Sequence, residues 1–312
     1  DTHELITTYV SVRILSIPAE FIIYILVGFY LGIQKTNISS LLIIILSILN
    51  IVLSSFFVLS LSLNVFGVAL GTLIASYFTA IVFSIYSYKF IIKKFQITPS
   101  TQGIINFSKI VKLVTINFDI FLRTLVLTFS FLWVSYLGSK LGEDYLAVNT
   151  ILMQFLILTS FFLDAYAYST EGIVGYAYGR KNKKTFLSAI KNSLQLSFVT
   201  ALIISLIFLF CFKSIINIMT DVDILRFISY KHAIWIILLP PIASFCYQLD
   251  GIFVGTSRSK EMRNGMVFSA TCFIIVSIYL TDYFGNHGLW FSLIIFMILR
   301  SLFLNFFLNR II

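Results

Sequence analysis

Residues 194–211 read Leu-Gln-Leu-Ser-Phe-Val-Thr-Ala-Leu-Ile-Ile-Ser-Leu-Ile-Phe-Leu-Phe-Cys, a run without a charged side chain. An α-helix needs about 20 mostly apolar residues to cross the hydrocarbon core of a bilayer. Similar runs recur along the 312-residue chain, in which 59% of the residues are hydrophobic and 11% are charged. Soluble domains carry about 25% charged residues. The composition therefore predicts a polytopic integral membrane protein and excludes a disordered chain, a secreted disulfide scaffold and a nucleic-acid-binding domain.

Apolar runs between charged or turn-rich breaks predict an all-α fold with nine transmembrane helices. These helices cover residues 9–33, 38–59, 66–88, 113–138, 145–178, 186–211, 225–255, 265–281 and 288–308. A lysine-rich stretch with Pro99 and Gly103 separates the third span from the fourth. We therefore predict a first domain of three helices over residues 1–90, a cytoplasmic linker over residues 91–112, and a second domain of six helices over residues 113–312.

The basic residues between spans predict the orientation of the chain in the membrane. Fourteen Lys and Arg residues lie in one alternating set of connections, and three lie in the opposite set. The first set includes Arg180, Lys181, Lys183 and Lys184 in the connection after the fifth span. Because cytoplasmic connections are enriched in Lys and Arg, we expect this set and the C-terminus to face the cytoplasm.

The first and seventh spans share a sequence pattern. Pro18 is followed ten residues later by Gly-Phe-Tyr-Leu-Gly at residues 28–32, and Pro241 by Gly-Ile-Phe-Val-Gly at residues 251–255. We interpret spans one to three as a copy of spans seven to nine, a parallel repeat of two six-helix lobes. Spans four to six then have no counterpart, so this architecture predicts three further helices, roughly 110 residues, before Asp1.

Prolines inside spans predict interrupted helices. Pro18 lies in the first span, and Pro240 and Pro241 lie in the seventh. Proline lacks a backbone N–H and clashes with the preceding turn. Unwound backbone at membrane depth is tolerated where it lines a cavity, so we expect helix breaks at these three residues.

Asp164, Glu171 and Asp250 are carboxylates inside predicted spans, where a charge costs about 2.5–3.5 kcal/mol on insertion scales. Asp164 and Glu171 are seven residues apart and therefore share one helical face, and we expect Asn149 and Gln154 near the same stripe. Asp250 follows the proline pair of the seventh span. Two neighbouring carboxylates resist simultaneous ionisation, so they can load a proton or bind a small cation. Structural capping of a neighbouring helix is the alternative role.

Two further pairs of opposite charge occur within single spans. Asp119 and Arg123 have the i, i+4 spacing that favours an ion pair, with a structural or gate-like role. Arg13 and Glu20 are seven residues apart on either side of Pro18, which favours a structural pair. Of the basic residues, we expect only Arg13 and Arg123 to lie deep in the membrane.

Four stretches resemble the multidrug and toxic compound extrusion (MATE) transporters, and specifically their DinF-like branch. They are Asn117-Phe-Asp-Ile-Phe-Leu-Arg-Thr, Leu141-Gly-Glu-Asp-Tyr-Leu-Ala-Val-Asn, Phe162-Leu-Asp-Ala-Tyr-Ala-Tyr-Ser-Thr-Glu, and Leu249-Asp-Gly-Ile-Phe-Val-Gly-Thr-Ser-Arg followed by Met262-Arg-Asn. The resemblance extends over the whole chain. It implies twelve helices in two six-helix lobes around a central cavity that alternates between the membrane faces.

The same resemblance implies an antiporter of the bacterial cytoplasmic (inner) membrane. The expected substrate is a small amphipathic or cationic compound, and the coupling ion is H⁺ or Na⁺. We expect no other cofactor, no enzymatic activity, no metal centre, no nucleic-acid partner and a monomer in the lipid bilayer. Cys211, Cys246 and Cys272 lie in apolar stretches without metal-type spacing.

One part of the family pattern is altered in this sequence. In the family, an aspartate on the first helix works with an Asn-x-x-x-Asp pair on the fifth helix. Asn50 matches the asparagine of this pair, but Ser54 occupies the aspartate position. The resemblance therefore predicts an altered cation site in the first lobe, where Glu20 is a candidate substitute.

Three other functions remain open from the sequence. A flippase for lipid-linked saccharides has a related two-lobe plan and needs several cavity Arg or Lys residues. An intramembrane enzyme could use Asp164 and Asp250 as an aspartyl protease uses its two carboxylates. A channel is the weakest alternative, because no filter-like loop is visible in the sequence.

Overall fold

A computed structural model describes residues 2–95, 106–308 and 311, and over these residues the regular structure is helical throughout. The chain divides into two compact units, Asp1–Ile105 and Asn106–Ile312. The described residues contain eight helices that are long and apolar enough to cross a membrane. The prediction of an all-α polytopic membrane protein is confirmed.

The first unit contains three long helices, α1 (Thr2–Gly32), α2 (Thr36–Ser55) and α3 (Asn64–Phe95). A π-helical turn, Phe56–Ser60, extends α2 before the chain enters α3. Both α1 and α2 pack on α3, around a small apolar core. The buried hydroxyl of Tyr30 lies 2.7 Å from the Ser87 hydroxyl and joins α1 to α3 by a hydrogen bond.

The second unit contains six helices. They are α4 (Phe107–Leu141), α5 (Glu143–Gly179), α6 (Lys183–Met219), α7 (Asp223–Lys231), α8 (Ala233–Gly255) and α9 (Ser259–Leu308). Helices α4 and α6 begin at asparagine caps. The side chain of Asn106 accepts a hydrogen bond from the backbone N–H of Lys109, and the side chain of Asn182 accepts one from the backbone N–H of Thr185. Such caps satisfy backbone donors that a helix start leaves free. Helix α8 packs against α5, α6 and α9 and forms the centre of the unit.

Helix α9 folds back on itself at Gly285, whose φ of 57° and ψ of −138° are not helical. The rings of Phe273 and Phe296 lie 5.4 Å apart, and those of Phe268 and Phe303 lie 5.7 Å apart. In a straight helix the first pair would be about 34 Å apart. α9 is therefore a hairpin whose two arms contain both of the last predicted spans.

The seventh span begins later than predicted. Residues 223–231 form the separate short helix α7, and α8 begins at Ala233. The side chain of Arg226 holds the turn before α7, because it donates to the Thr220 carbonyl and forms an ion pair with Asp221.

The predicted linker is too long at both ends, because α3 continues to Phe95 and α4 starts at Phe107. Residues 96–105 lie outside the described part.

The predicted helix breaks at Pro18, Pro240 and Pro241 are wrong, because α1 and α8 continue through all three. In α8, the Ser205 hydroxyl donates to the Ile237 carbonyl at 2.7 Å. That carbonyl is four residues before Pro241 and receives no N–H from it. Neighbouring side chains can supply the bond that proline removes, so a helix in a membrane can remain regular.

Candidate functional site

A cavity of about 430 Å³ lies in the second unit between α4, α5, α8 and α9. Three acidic and two basic side chains line it, together with apolar residues and two tyrosines. The ionisable residues are Arg123, Asp164, Glu171, Asp250 and Arg300. With all five ionised, their formal charge is −1. The three carboxylates predicted from the sequence are thus brought to one cavity by two helices.

The helix α5 carries Asp164 and Glu171 on the face that lines the cavity, as their spacing predicts. Ser160 and Ala167 complete this stripe. Within the described residues, neither carboxylate forms an ion pair or a hydrogen bond. Their charges are therefore not neutralised by a direct contact in this part of the chain.

Asp250 differs from these two carboxylates because it accepts from two arginines. Its Oδ2 atom accepts from Nη2 of Arg300 at 2.8 Å and from Nη2 of Arg123. The three residues come from α8, α9 and α4, and Arg300 is only 4% exposed. A buried charge needs a partner, so this arginine–aspartate–arginine cluster holds three helices together at the cavity wall.

Glycines fix the distance between α5 and α8. A Cβ atom on Gly251 would lie 2.5 Å from the carbonyl oxygen of Ala167, and one on Gly255 would lie 2.5 Å from that of Glu171. Gly175 makes the same kind of close approach from α5, toward the Gly255 carbonyl. Small residues let helix backbones touch in a membrane, and here they place the carboxylates of both helices around one cavity.

Asp119 does not pair with Arg123, so the predicted i, i+4 ion pair is wrong. Asp119 instead accepts from Nη1 of Arg263 and, at 3.1 Å, from the hydroxyl of Ser259. Arg123 reaches across to Asp250. Asp119 therefore binds α4 to α9, on which α4 packs, and Arg123 binds it to α8.

Arg300 was missed by the sequence analysis, and the expectation that only Arg13 and Arg123 lie deep is wrong. Arg300 is the charged residue within the predicted span 288–308, and the structure buries it. Its position already carried a signal, because a charge in the middle of a transmembrane helix requires a partner. The partner, Asp250, is 50 residues away and could not be identified by spacing.

The MatE family model matches residues 120–281, slightly more than half of the chain, including the cavity-lining stretch of α5 and Asp250. The chain belongs to the MatE family. It is 35% identical over 298 residues to DNA damage-inducible protein F of Escherichia coli (strain K12). The aligned region covers 94% of this chain and 64% of that protein. The match to that protein agrees with the resemblance to the DinF-like branch.

Solved structures of MATE transporters share the fold of this MatE chain. A MATE crystal structure in the bent conformation has a TM-score of 0.85 at 18% identity and covers 97% of this chain and 68% of that one. An outward-facing multidrug resistance MATE transporter has a TM-score of 0.81 at 19% identity, covering 92% and 65%. Members of this family are membrane transporters and not enzymes.

In this MatE chain, Asn149 and Gln154 lie away from the cavity, contrary to the prediction. The Asn149 amide donates to Asn286 at 2.8 Å and accepts from the indole of Trp290 at 2.9 Å, beside the turn of α9. Gln154 is exposed on another face of α5. Asn149 is 15 residues from Asp164, about 22 Å along the helix, which is too far to share one cavity.

Asn50 and Ser54 face α3 and make contacts between helices. The Asn50 amide donates to the Thr72 hydroxyl at 2.8 Å. The Ser54 hydroxyl donates to the Val68 carbonyl at 3.4 Å, and a Cβ on Gly71 would clash with it. Within the first unit, these two residues therefore hold α2 on α3.

Glu20 pairs with Arg13, as the sequence predicts for a structural pair. Its Oε1 atom accepts from Nη1 of Arg13 at 2.7 Å and from the Ser16 hydroxyl at 2.8 Å. All three residues lie on α1, where Ser16 is buried and the two charged side chains are only partly buried. The pair is neutral by itself and leaves no unbalanced charge on the helix.

Proposed function

We propose that this protein exports amphipathic or cationic compounds across the bacterial cytoplasmic membrane in exchange for protons or sodium ions. The observation that carries the proposal is the pair of unpartnered carboxylates, Asp164 and Glu171, beside an aspartate that two arginines already bind. The coupling ion binds these carboxylates in one conformation. Substrate leaves during the reciprocal switch between the two membrane faces.

The charge of the cavity explains why exchange and not cotransport is favoured. The five ionised side chains leave a formal charge of −1, which one monovalent cation neutralises. A cationic substrate and a coupling ion therefore compete for the same excess charge. A ligand shifts a conformational equilibrium only through different affinities for the two states, and the charge balance of a low-dielectric cavity supplies such a difference.

The relatives support the substrate class. One solved structure of this fold belongs to a multidrug resistance MATE family transporter. The chain spans 64% of the E. coli relative. We propose that the unit Asn106–Ile312 is one lobe of a two-lobe transporter, that Asp1–Ile105 belongs to the other lobe, and that the protein works as a monomer.

A lipid-linked saccharide flippase is the second candidate, and the buried Arg300 is the observation that favours it. Together with Arg123 it gives the cavity two arginines, as binding of a pyrophosphate requires. Both arginines, however, are bound to Asp250, and carboxylates outnumber them. An excess of negative charge repels a pyrophosphate, so the exporter is the better assignment.

The test is efflux of ethidium from proteoliposomes containing the native protein, driven separately by a pH gradient and by a sodium gradient. One elementary charge moved through 100 mV is worth about 2.3 kcal/mol, which corresponds to roughly fiftyfold accumulation. We expect Asp164→Asn and Glu171→Gln to reduce the accumulation ratio toward one. Asp282→Asn is the matched control, because it removes an exposed carboxylate outside the cavity.

Two results would contradict the proposal. The first is full gradient-driven efflux in both cavity variants. The second is export of a pyrophosphate-linked lipid, but not of ethidium, by the unmodified protein. The gradient that supports efflux identifies the coupling ion.

A further inference from the structure

The helix that carries Asp250 also forms the floor of an apolar groove on its opposite face. This groove has a volume of about 510 Å³. Phe245 and Leu249 of α8 form the floor, Leu194 and Phe198 of α6 form one wall, and Leu302 of α9 lies in the other. The groove is open along one side, and its lining is almost entirely apolar.

A basic pocket of about 400 Å³ lies at the end of the same helices. It is lined by Lys181 and Asn182 in the turn between α5 and α6, by Lys183 at the start of α6, and by the apolar side chains of Phe186 and Ile311. Both lysines are exposed, and neither forms an ion pair with any residue that the structure describes. The pocket therefore offers two positive charges that the protein itself does not neutralise.

One stripe of α6 connects the pocket to the groove. Phe186, Ile190, Leu194 and Phe198 follow each other at intervals of four residues and so lie on one face of the helix. Phe186 belongs to the pocket, and Leu194 and Phe198 to the groove. The groove wall on α9, residues 298–308, is about 15 Å long, which equals one leaflet of a 30 Å hydrocarbon core.

We propose that this surface binds one anionic phospholipid of the leaflet at this end of the helices, which the distribution of basic residues predicts to be cytoplasmic. The phosphate lies between Lys181 and Lys183, and one acyl chain follows the α6 stripe into the groove over α8. Clusters of lysine at the end of transmembrane helices attract anionic head groups, and the apolar groove accepts the tail.

A second protein helix fits this surface less well. A helix with its side chains is about 10–12 Å across, so only part of it would lie in this groove. A helix from a second copy of this chain would also bring that copy's own basic turn close to Lys181 and Lys183. The charge of the pocket therefore favours an anionic lipid.

The experiment counts bound lipid by native mass spectrometry of the full chain in detergent, after removal of endogenous lipid. The probes are palmitoyl-oleoyl phosphatidylglycerol and the matching phosphatidylcholine. We expect one phosphatidylglycerol to bind in preference to phosphatidylcholine. Each lysine near an anionic head group is worth about fivefold, so Lys181→Gln with Lys183→Gln should weaken phosphatidylglycerol binding by about thirtyfold.

The matched control removes the same charge outside the pocket. Lys184→Gln with Lys191→Gln lies on the same helix, and neither residue lines the pocket or the groove. This control should leave binding of phosphatidylglycerol unchanged. Leu302→Trp fills the groove and should prevent binding of either lipid, whereas Phe306→Trp, at an exposed position outside the groove, should not.

Four results would overturn the proposal. Equal losses in the two double-lysine variants would reduce the effect to general surface charge. Unchanged binding in Leu302→Trp would remove the acyl chain from the groove. Displacement of the bound lipid by glycerol 3-phosphate at equal concentration would assign the pocket to a free phosphate compound. A dimer that Leu302→Trp dissociates would assign the groove to a second copy of the chain.

Discussion

Helices α1 and α8 carry the same proline and glycine pattern, yet their glycines have opposite surroundings. A Cβ on Gly28 or Gly32 has no described atom within 4 Å, apart from its own helix. A Cβ on Gly251 or Gly255 would lie 2.5 Å from a carbonyl oxygen of α5. The pattern therefore permits close packing of helices but does not show where the protein uses it.

The charges of the two helices differ in the same way. In α1, Arg13 and Glu20 neutralise each other along one helix. In α8, Asp250 is bound by arginines of two other helices, and the repeat places Val27 at the corresponding position of α1. A neutral local pair is sufficient to keep a helix in the membrane, whereas charges shared between helices can leave an excess for a ligand.

The arginines should show the largest difference between the helices. Arg300→Ala leaves a buried carboxylate with one partner, so we expect the free energy of unfolding to fall by about 3–5 kcal/mol. Arg13→Ala should cost less than about 1 kcal/mol, because its ion pair is partly solvated. Unfolding in detergent, followed by circular dichroism, measures both values. Equal losses in the two variants would show that the cluster around Asp250 does not anchor the helices.

The glycines should show the next largest difference. Gly251→Ala forces α8 away from the backbone of α5, and overpacking of this kind costs about 1–3 kcal/mol. Gly28→Ala meets no neighbouring atom and should stabilise α1 by about 0.5–1 kcal/mol, because alanine favours helix. The same unfolding measurement compares them. A stable Gly251→Ala variant would mean that α5 and α8 can separate at little cost.

The prolines provide a smaller difference. Ser205→Ala removes the donor to the Ile237 carbonyl before Pro241, and we expect a loss of about 1 kcal/mol. In α1, the hydroxyl of Tyr77 donates at 3.1 Å to the Leu15 carbonyl, which is three residues before Pro18 and still accepts the helical N–H of Ala19, and this tyrosine is exposed. Tyr77→Phe should therefore cost less than about 0.5 kcal/mol. Ser205→Thr, which keeps the hydroxyl, is the control.

The smallest effect is expected for Glu20. Because Glu20 lies in a neutral, partly exposed pair, Glu20→Gln should leave ethidium efflux within about twofold of the native protein. The measurement is the proteoliposome assay under the gradient that supports efflux. A loss as large as that of Asp164→Asn would instead place Glu20 in the ion-coupling machinery and extend the site to the first unit.

The sequence predicts the spans well, because burial of apolar residues in the bilayer is a property of each segment by itself. It also places Asp164 and Glu171 on one face, since both lie on one helix. It cannot pair Arg123 with Asp250, which is 127 residues away, because such contacts depend on how the helices pack. For the same reason the local pairing of Asp119 is wrong.

The contact between α5 and α8 also limits how the cavity can open. At Gly251 and Gly255 one backbone rests directly on the other, so the carboxylates of these two helices keep a fixed separation. Helix α4 packs on α9 and α5 and reaches α8 through the long side chain of Arg123. We therefore expect the three cavity carboxylates to keep their relative positions in any rearrangement that admits a ligand.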